Sequence, residues 1–218
     1  QNFVNAAVSR VRYFLGFDST LNSYGQLGTA WQPTGSFKIK GKFSTTSTGN
    51  QTIYSRWDSG SNERSILLRY DSNSVEFFVS ADGTINTDET VVVSYTPAGK
   101  FSTFQASFNS GSNIVLTVDG VTSTASYTET ALHDADANVY FGSREGSSAY
   151  FQGVLADFEL IDLATPSNSQ AYRLDRATGT TESSLVNTGT LTYNNIPEAD
   201  REQFKLVGAT NWINISPA

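Results

Sequence analysis

The 218-residue sequence contains no cysteine and a single histidine, His133, which excludes several classes of site at the outset. Disulfide frameworks, thiol nucleophiles, iron–sulfur clusters and His/Cys zinc sites all need residues that this chain lacks. A serine-type triad would have to use His133 as its base, and no Gly-x-Ser-x-Gly elbow is present. We therefore expect His133 to be an ordinary side chain of a polar loop, and any bound metal to be a hard ion with oxygen ligands, such as calcium.

Basic charge and long apolar runs are also scarce. The chain has 14 Lys and Arg against 21 Asp and Glu, a net charge of −7, and no basic block of the kind that neutralises a phosphate backbone. No run approaches the ~20 apolar residues that a transmembrane helix needs. These features argue against nucleic acid as a partner and against membrane insertion. Methionine is absent even at residue 1, so we expect the sequence to be a piece of a longer protein.

Hydroxyl-bearing and apolar residues make up most of what is present. The sequence has 28 Ser and 25 Thr, whereas charged residues are only 16% of the chain, so its surface is rich in hydroxyls and amides. Such a surface suits an extracellular location and partners that form hydrogen bonds. The 38% hydrophobic and 12% aromatic content is enough to build a sizeable core.

Short alternating runs of Val, Ile, Phe, Tyr and Thr, separated by Gly, Asn, Asp and Ser clusters, predict an antiparallel β protein. The clearest run, Phe37–Phe43, places its aromatic residues and an isoleucine on one face and three lysines on the other. Two further runs, 74–79 and 113–118, lead into Asp82-Gly83 and Asp119-Gly120. Asp-Gly is a preferred two-residue hairpin turn, because both central residues take positive φ.

The chain as a whole predicts between ten and fourteen strands in one domain, residues 1–218. The other predicted strands are 11–17, 52–56, 65–70, 90–95, 101–108, 138–141 and 150–161. Helical signals are weak, with one helical turn expected over 195–200. Residues 1–9 are interpreted as a connector from an upstream stem, and residues 164–218 as C-terminal strands that complete a sandwich.

Several of these runs carry a family resemblance. The segments Ile53–Asp58, Arg64–Leu68 and Val75–Gly83 resemble the middle of laminin-G-like, concanavalin A-like jelly-roll domains, and Leu116–Val121, Val139–Gly142 and Phe151–Leu160 look like their closing strands. The resemblance covers roughly residues 11–163, while the tail from Tyr172 is similar to bacteriophage tail-fibre and adhesin versions of the fold. It implies an all-β, two-sheet antiparallel jelly-roll sandwich with at most one or two short helical turns. It also implies a glycan-binding face or rim, often with one calcium ion.

Aromatic residues in polar loops are the candidates for sugar binding, because flat rings stack on sugar C–H faces while amides, carboxylates and Arg fix the hydroxyls. One such loop contains Trp57, Asp58, Asn62 and Arg64, and a second contains Arg144, Glu145 and Tyr150. Tyr24 and Trp31 flank a Gly-rich segment, and Trp212 lies near the C-terminus. The alternative interpretation is that each Trp covers the edge of the core.

For calcium, the loop after His133 offers Asp134, Asp136 and Asn138 at alternate positions. An EF-hand is excluded, because Val139 stands where that loop needs Gly. The alternative calcium site joins Asp18, after the first predicted strand, to Asp157 on the last.

Catalytic carboxylates are the remaining possibility, since the same fold hosts glycoside hydrolases with a Glu-x-Asp-x-Glu strand. That motif is absent, and the nearest approach is Asp157 with Glu159, for which we expect a structural role.

We therefore predict a non-catalytic, lectin-like module, extracellular or on a virion surface, that recognises cell-surface glycans or polysaccharide. The receptor-binding tip of a phage tail fibre, as a homotrimer, is one setting. Two alternatives stay open: a polysaccharide lyase or hydrolase on the same fold, with Tyr150 as the base of a lyase, and a structural domain of a fibre or virion.

Overall fold

The computed structural model describes residues 15–28, 31–84, 89–174, 181–187 and 189–196. In chain order its strands are β1 (Leu15–Phe17), β2 (Tyr24–Gly28), β3 (Phe37–Ser44), β4 (Gln51–Asp58), β5 (Glu63–Asp71), β6 (Ser74–Val79), β7 (Thr90–Ser94), β8 (Ser102–Asn109), β9 (Ser112–Val118), β10 (Val121–Tyr127), β11 (Val139–Phe141), β12 (Gly153–Asp162), β13 (Gln170–Tyr172), β14 (Thr181–Ser183) and β15 (Thr190–Asn194). The helical elements include two 3₁₀ turns, Ser19–Leu21 and Pro166–Asn168.

The strands form two antiparallel sheets. One has seven strands in the order β1-β12-β3-β8-β9-β10, with β13 also paired to β12. The other has eight, in the order β14-β15-β2-β11-β4-β5-β6-β7. Neighbours such as β12 and β3 are far apart in sequence, as expected for a jelly-roll sandwich. The predicted fold class is confirmed.

The core lies between the sheets and is rich in aromatic rings. In β3 the residues alternate between buried and half-buried along most of the strand, and Phe37, Ile39 and Phe43 have no exposed surface. Phe141 of the other sheet packs edge-on against Phe158 of β12, with ring centroids 4.8 Å apart. The alternation read from Phe37–Phe43 is therefore confirmed, and the lysines lie on the outer face of the seven-stranded sheet.

The two Asp-Gly predictions have opposite outcomes. Asp119-Gly120 joins β9 to β10 as a two-residue hairpin, with both φ angles positive. The hairpin at Asp82-Gly83 is wrong, because β6 ends at Val79 and β7 begins only at Thr90. Asp82 instead accepts hydrogen bonds from Thr84, and Gly83 lies so close to the Asn62 carbonyl that a Cβ atom would be 2.0 Å from it. This Asp-Gly pair therefore packs against the β4–β5 loop and does not form a hairpin turn.

The described C-terminal strands join both sheets: β13 pairs with β12, and the β14–β15 hairpin adds to β2. Of the predicted strand 11–17 the structure describes the part from Leu15. The predicted connector 1–9, Trp212 and all but the first two residues of the predicted turn over 195–200 lie outside the described residues. Within the described part of the chain, no helix is long and apolar enough to cross a membrane.

Candidate functional site

The structure brings the two predicted ligand loops together. The first loop joins β4 to β5, and the second follows β11. Glu145 of the second loop accepts two hydrogen bonds from Ser59 of the first, from the backbone N–H at 2.7 Å and from the hydroxyl at 2.6 Å. Because β4 and β11 are antiparallel, the second loop folds back toward the end of β4, and residues 86 positions apart thus form one continuous surface.

Trp57 contributes less surface to this site than its sequence context suggests. It is 3% exposed and packs with Leu67 and Phe78 in a small cluster separate from the main core. The guanidinium of Arg64 lies 5.9 Å from the centroid of the Trp57 ring. Arg64 also donates hydrogen bonds to Asn62 Oδ1 at 2.8 Å and to the Ser59 carbonyl at 2.7 Å. Trp57 and Arg64 therefore brace the first loop.

Asp58 shapes the same loop. One carboxylate oxygen accepts a hydrogen bond from the Gly60 N–H at 2.8 Å, and the other accepts one from the Ser61 hydroxyl at 2.7 Å. The Ser61 hydrogen bond, followed by that from Gly60, lowers the pKa of the Asp58 carboxyl below its ordinary value. Asn62 completes the turn with a φ of 58°, in the left-handed region that Asn tolerates.

Three partly exposed tyrosines adjoin the second loop, and we call them the tyrosine strip: Tyr24 on β2, Tyr140 on β11 and Tyr150. The ring of Tyr24 lies between the other two, with centroid distances of 5.6 Å to Tyr140 and 6.4 Å to Tyr150. Tyr140 stands between the buried residues Val139 and Phe141, so strand alternation turns it away from the core. The strip therefore lies on the outer face of the eight-stranded sheet.

The second loop is fitted closely to the tyrosine strip. The Tyr150 hydroxyl donates to the Gly146 carbonyl at 2.9 Å, and burial, together with the nearby Tyr24, raises the pKa of Tyr150. Gly146 has a φ of 66°, and a Cβ atom there would lie 2.9 Å from the Tyr140 ring. Arg144 closes the loop through a backbone bridge to Ser148. Glycine at 146 is thus required both by its φ and by the ring beside it.

Polar side chains lie beside the rings. Asn138 donates a hydrogen bond to the Tyr140 hydroxyl at 3.3 Å. Gln26, partly exposed, is the register partner of Tyr140 on β2. The sequence pattern indicated Tyr150 as a ligand residue and singled out Tyr24. Tyr140 and Gln26 were not predicted, because their place depends on the pairing of β2 with β11.

The predicted calcium ligands each have a contact with another part of the protein. The Asp134 side chain is 82% exposed and lies 3.9 Å from the Arg56 guanidinium, while the Asn138 amide is directed to Tyr140. Asp136 contributes its backbone N–H to Glu63 at 2.8 Å. Among the described residues, no group of three or more His, Cys, Asp or Glu side chains is placed to hold a metal ion. The Arg56 guanidinium therefore already lies near the Asp134 carboxylate, and a calcium ion at this loop stays a prediction.

Asp18 and Asp157, the two residues of the alternative calcium site, each bind a different partner. Asp18 caps the Ser19–Leu21 turn by accepting hydrogen bonds from Thr20, whereas Asp157 lies 2.7 Å from Lys42 Nζ. Glu159 in turn lies 3.6 Å from Lys40 Nζ. Asp157 and Glu159 thus each have a lysine partner, as a structural role predicts.

The side chains of His133 and Trp31 contact other protein residues away from the tyrosine strip. The His133 ring nitrogen Nε2 lies 3.1 Å from a Glu63 carboxylate oxygen, and the hydrogen bonds described for its ring include no serine hydroxyl. Trp31 is fully buried beside Phe37 and Tyr54. Neither residue contributes to the tyrosine strip.

Comparison with known proteins gives a family match. Residues 24–169, about two-thirds of the chain, match the laminin-G-type model of the concanavalin A-like lectin/glucanases superfamily. No curated protein matches the chain at a significant level.

Three solved structures illustrate the shared fold. The chain is 22% identical to domains LG4-5 of the mouse laminin alpha1 chain, with a TM-score of 0.52 over 85% of this chain and 46% of that one. It is 16% identical to the LG1-3 region of the laminin alpha2 chain, with a TM-score of 0.55 over 84% of this chain and 34% of that one. It is 11% identical to a native heptameric SAP-like pentraxin from Limulus polyphemus, with a TM-score of 0.55 over 84% of this chain and 90% of that one. The chain spans less than half the length of the two laminin structures, and at these identities the likeness extends to the fold alone.

Proposed function

The chain belongs to the concanavalin A-like lectin/glucanases superfamily, and from this premise we propose that it is a non-catalytic carbohydrate-binding module. Laminin-G-like domains are generally binding modules and typically extracellular. The observation that carries the proposal is the tyrosine strip: three partly exposed rings, with Tyr24 edge-on to Tyr140 and tilted by 32° to Tyr150, next to the two joined loops.

The chemistry of the tyrosine strip suits a sugar. The apolar C–H face of a pyranose stacks on an aromatic ring, and its hydroxyls need planar amides, carboxylates and hydroxyls around that ring. Gln26, Asn138 and Glu145 supply such groups beside the strip. We assign ligand contact to Tyr24, Tyr140 and Tyr150, with Arg144 in the same loop. Trp57, Asp58, Asn62 and Arg64 hold the adjoining loop in shape.

The same residues argue against the enzymatic alternatives. A lyase base must give up its proton near neutral pH, whereas burial raises the pKa of Tyr150 and its hydroxyl donates to the Gly146 carbonyl. A hydrolase needs one protonated and one free carboxyl group, whereas Asp157 and Glu159 each have a lysine partner. No rise in unsaturated or reducing ends is therefore expected when candidate polysaccharides are incubated with the protein.

The ligand belongs to a cell surface or an extracellular polysaccharide in this proposal. The tip of a phage tail fibre, or an adhesin, is the setting that the tail from Tyr172 favours. A homotrimer in sedimentation analysis of the chain would favour the fibre, while a monomer that binds sugar would favour a free-standing module.

The test is binding of the labelled, artificially multimerised protein to arrays of glycans and bacterial polysaccharides, in calcium and again in EDTA. We expect a specific signal that EDTA leaves unchanged, because Asp134 already lies 3.9 Å from the Arg56 guanidinium and the Asn138 amide already donates to Tyr140. A blank array with folded protein would contradict the proposal.

The matched pair of variants is Tyr24→Ala and Tyr24→Phe. Removal of the central ring should weaken binding roughly tenfold, the value of one stacking contact, while phenylalanine keeps the ring and should bind within about threefold of the wild type. Equal binding by the wild type and Tyr24→Ala would remove the tyrosine strip from the site.

A further inference from the structure

A concave surface lies on the opposite side of the sandwich from the tyrosine strip. It is a groove of about 510 Å³ on the outer face of the seven-stranded sheet, over β12, β3, β8 and β9 and beside β13. The tyrosine strip is on the outer face of the other sheet. The core therefore separates the two surfaces, and neither obstructs the other.

Cationic groups follow the middle of this groove. Lys40 and Lys42 are alternate residues of β3, so their Cα atoms are ~7 Å apart along the strand and both side chains leave the same face. Arg173 lines the groove from the segment after β13. Polar side chains of Thr103, Gln105 and Thr117 line the β8–β9 side.

Carboxylates stand on the β12 side of the groove. Asp157 lies 2.7 Å from Lys42 Nζ, and Glu159 lies 3.6 Å from Lys40 Nζ. A β-bulge places them there: the register of β12 against β3 shifts between Ala156 and Glu159, Asp157 takes a φ of 51°, and its N–H donates to the Arg173 carbonyl. All four charged side chains are partly exposed, and ion pairs of this kind are weak enough to rearrange around a ligand.

The groove therefore offers a particular combination: ammonium donors in the middle, carboxylate acceptors on one side, and hydroxyl and amide groups on the other. A ligand that satisfies all three must carry negative charge and hydroxyl donors on the same unit. A neutral sugar leaves the lysines with their present partners and gains little from them. A polyanion without hydroxyl donors, such as a densely sulfated chain, leaves Asp157 and Glu159 facing like charge on a protein of net charge −7.

From this combination we propose that the groove is a second ligand site, which takes an acidic, hydroxyl-rich polysaccharide of the uronic acid class. Sugar carboxylates bind Lys40 and Lys42, and sugar hydroxyls donate to Asp157 and Glu159. The site is distinct from the tyrosine strip, so one copy of the chain holds two polysaccharide segments on opposite faces.

The test measures the affinity of the intact chain for oligomers of polygalacturonate by calorimetry, with the methyl-esterified oligomer and densely sulfated dextran as comparison ligands. Esterification keeps the sugar backbone and removes the charge. We expect the free acid to bind about tenfold or more tightly than either comparison ligand.

Variants on β3 locate the site. Lys42→Gln and the double variant Lys40→Gln/Lys42→Gln should weaken polygalacturonate binding about tenfold or more, since each removes a charge-assisted hydrogen bond. The control is Lys38→Gln, which removes the same charge from the same face of β3 but beyond the residues that line the groove, and it should bind within about twofold of the wild type. Thermal unfolding of each variant verifies the fold.

Failure here is distinguishable from failure of the proposed function. Tyr24→Ala should leave polygalacturonate binding intact, and the lysine variants should leave the array signal at the tyrosine strip intact. Three results would overturn the groove proposal: equal losses in Lys38→Gln and Lys42→Gln, equal affinity for the esterified oligomer, or tighter binding of densely sulfated dextran than of polygalacturonate.

Discussion

Arg56 shows how a single buried charge organises the rim of this protein. It is 1% exposed and extends from β4 toward the core side, where it donates to the Ala135 carbonyl and to Gln32 Oε1 at 2.8 Å. Burial lowers the pKa of Arg56, and the nearby acidic residues, among them Asp134, oppose that shift. Its guanidinium therefore joins the segment after Trp31 to the loop after His133.

Substitution of Arg56 by Met should lower the free energy of unfolding by about 3 kcal/mol, because buried acceptors lose their donor. The control is Arg69→Met on the neighbouring strand, where a partly exposed pair with Glu76 at 2.7 Å should be worth about 1 kcal/mol or less. Urea unfolding of both variants checks this. Equal losses would show that Arg56 is an ordinary surface charge in energetic terms.

Glu63 predicts a pH dependence with a definite sign. Its carboxylate accepts hydrogen bonds from the Asp136 N–H and from His133, and the first of these is the main reason that the pKa of Glu63 lies below its ordinary value of 4.5. A carboxyl group whose pKa is lowered by folding stabilises the fold above its unfolded pKa and loses that contribution as the pH falls through the folded value.

The variant Glu63→Gln should therefore lose stability less steeply than the wild type as the pH falls below 4.5. Urea midpoints measured across this range, with Glu129→Gln on an exposed loop as control, check the prediction. Parallel curves for the wild type and Glu63→Gln would contradict it.

At the scale of elements, the Asp119-Gly120 pair forms a hairpin turn through its local backbone geometry, whereas the Asp82-Gly83 pair forms a tertiary contact instead of a hairpin. The β9–β10 hairpin needs positive φ at Asp119 and Gly120, and a Cβ at Gly120 would meet nothing within 4 Å. The Asp82-Gly83 pair has the same composition but packs against the β4–β5 loop. Only the first therefore depends on local geometry alone.

Gly120→Ala should destabilise the protein by about 1 kcal/mol, purely through its backbone angle. Gly49→Ala is the matched control, since Gly49 does not have a positive φ and a Cβ there would come no nearer than 4.0 Å to Ser47. Its unfolding free energy should stay within about 0.5 kcal/mol of the wild type. If the two alanine variants behave alike, the backbone angle is not the cause.

At the scale of the whole molecule, the C-terminal strands belong to the packed sandwich. Leu191 of β15 is fully buried, and a Cβ at Gly25 of β2 would lie 3.1 Å from it. Glu182 of β14 accepts hydrogen bonds from the Arg173 and Leu174 N–H groups at 2.7 and 3.2 Å and from the Tyr193 hydroxyl. The segment beyond the family match, which ends at residue 169, thus contributes to both sheets.

Leu191→Ala should therefore cost about 2–4 kcal/mol of stability through the cavity it leaves. Leu185→Ala, at a position 56% exposed, should change the stability by less than about 0.5 kcal/mol. Thermal or urea unfolding distinguishes them. A neutral Leu191→Ala would mean that β14 and β15 are not part of the core.

The sequence by itself determined most of the strands, the fold class and the Asp119-Gly120 hairpin. Alternation with a period of two and the φ demands of a tight turn act between neighbours in the chain, so they can be read from short segments. The family resemblance added the two-sheet architecture, which strand patterns alone leave open.

Tertiary structure decided which residues meet. Tyr24 and Tyr140 become neighbours because β2 pairs with β11, and Lys42 meets Asp157 because β3 pairs with a bulged β12. Trp57 lies under Arg64 instead of facing a ligand, and the Asp134 loop lies over the Arg56 guanidinium. These contacts join residues far apart in the chain, and the free energy of such pairing depends on the packing of the whole sandwich, which no short segment encodes.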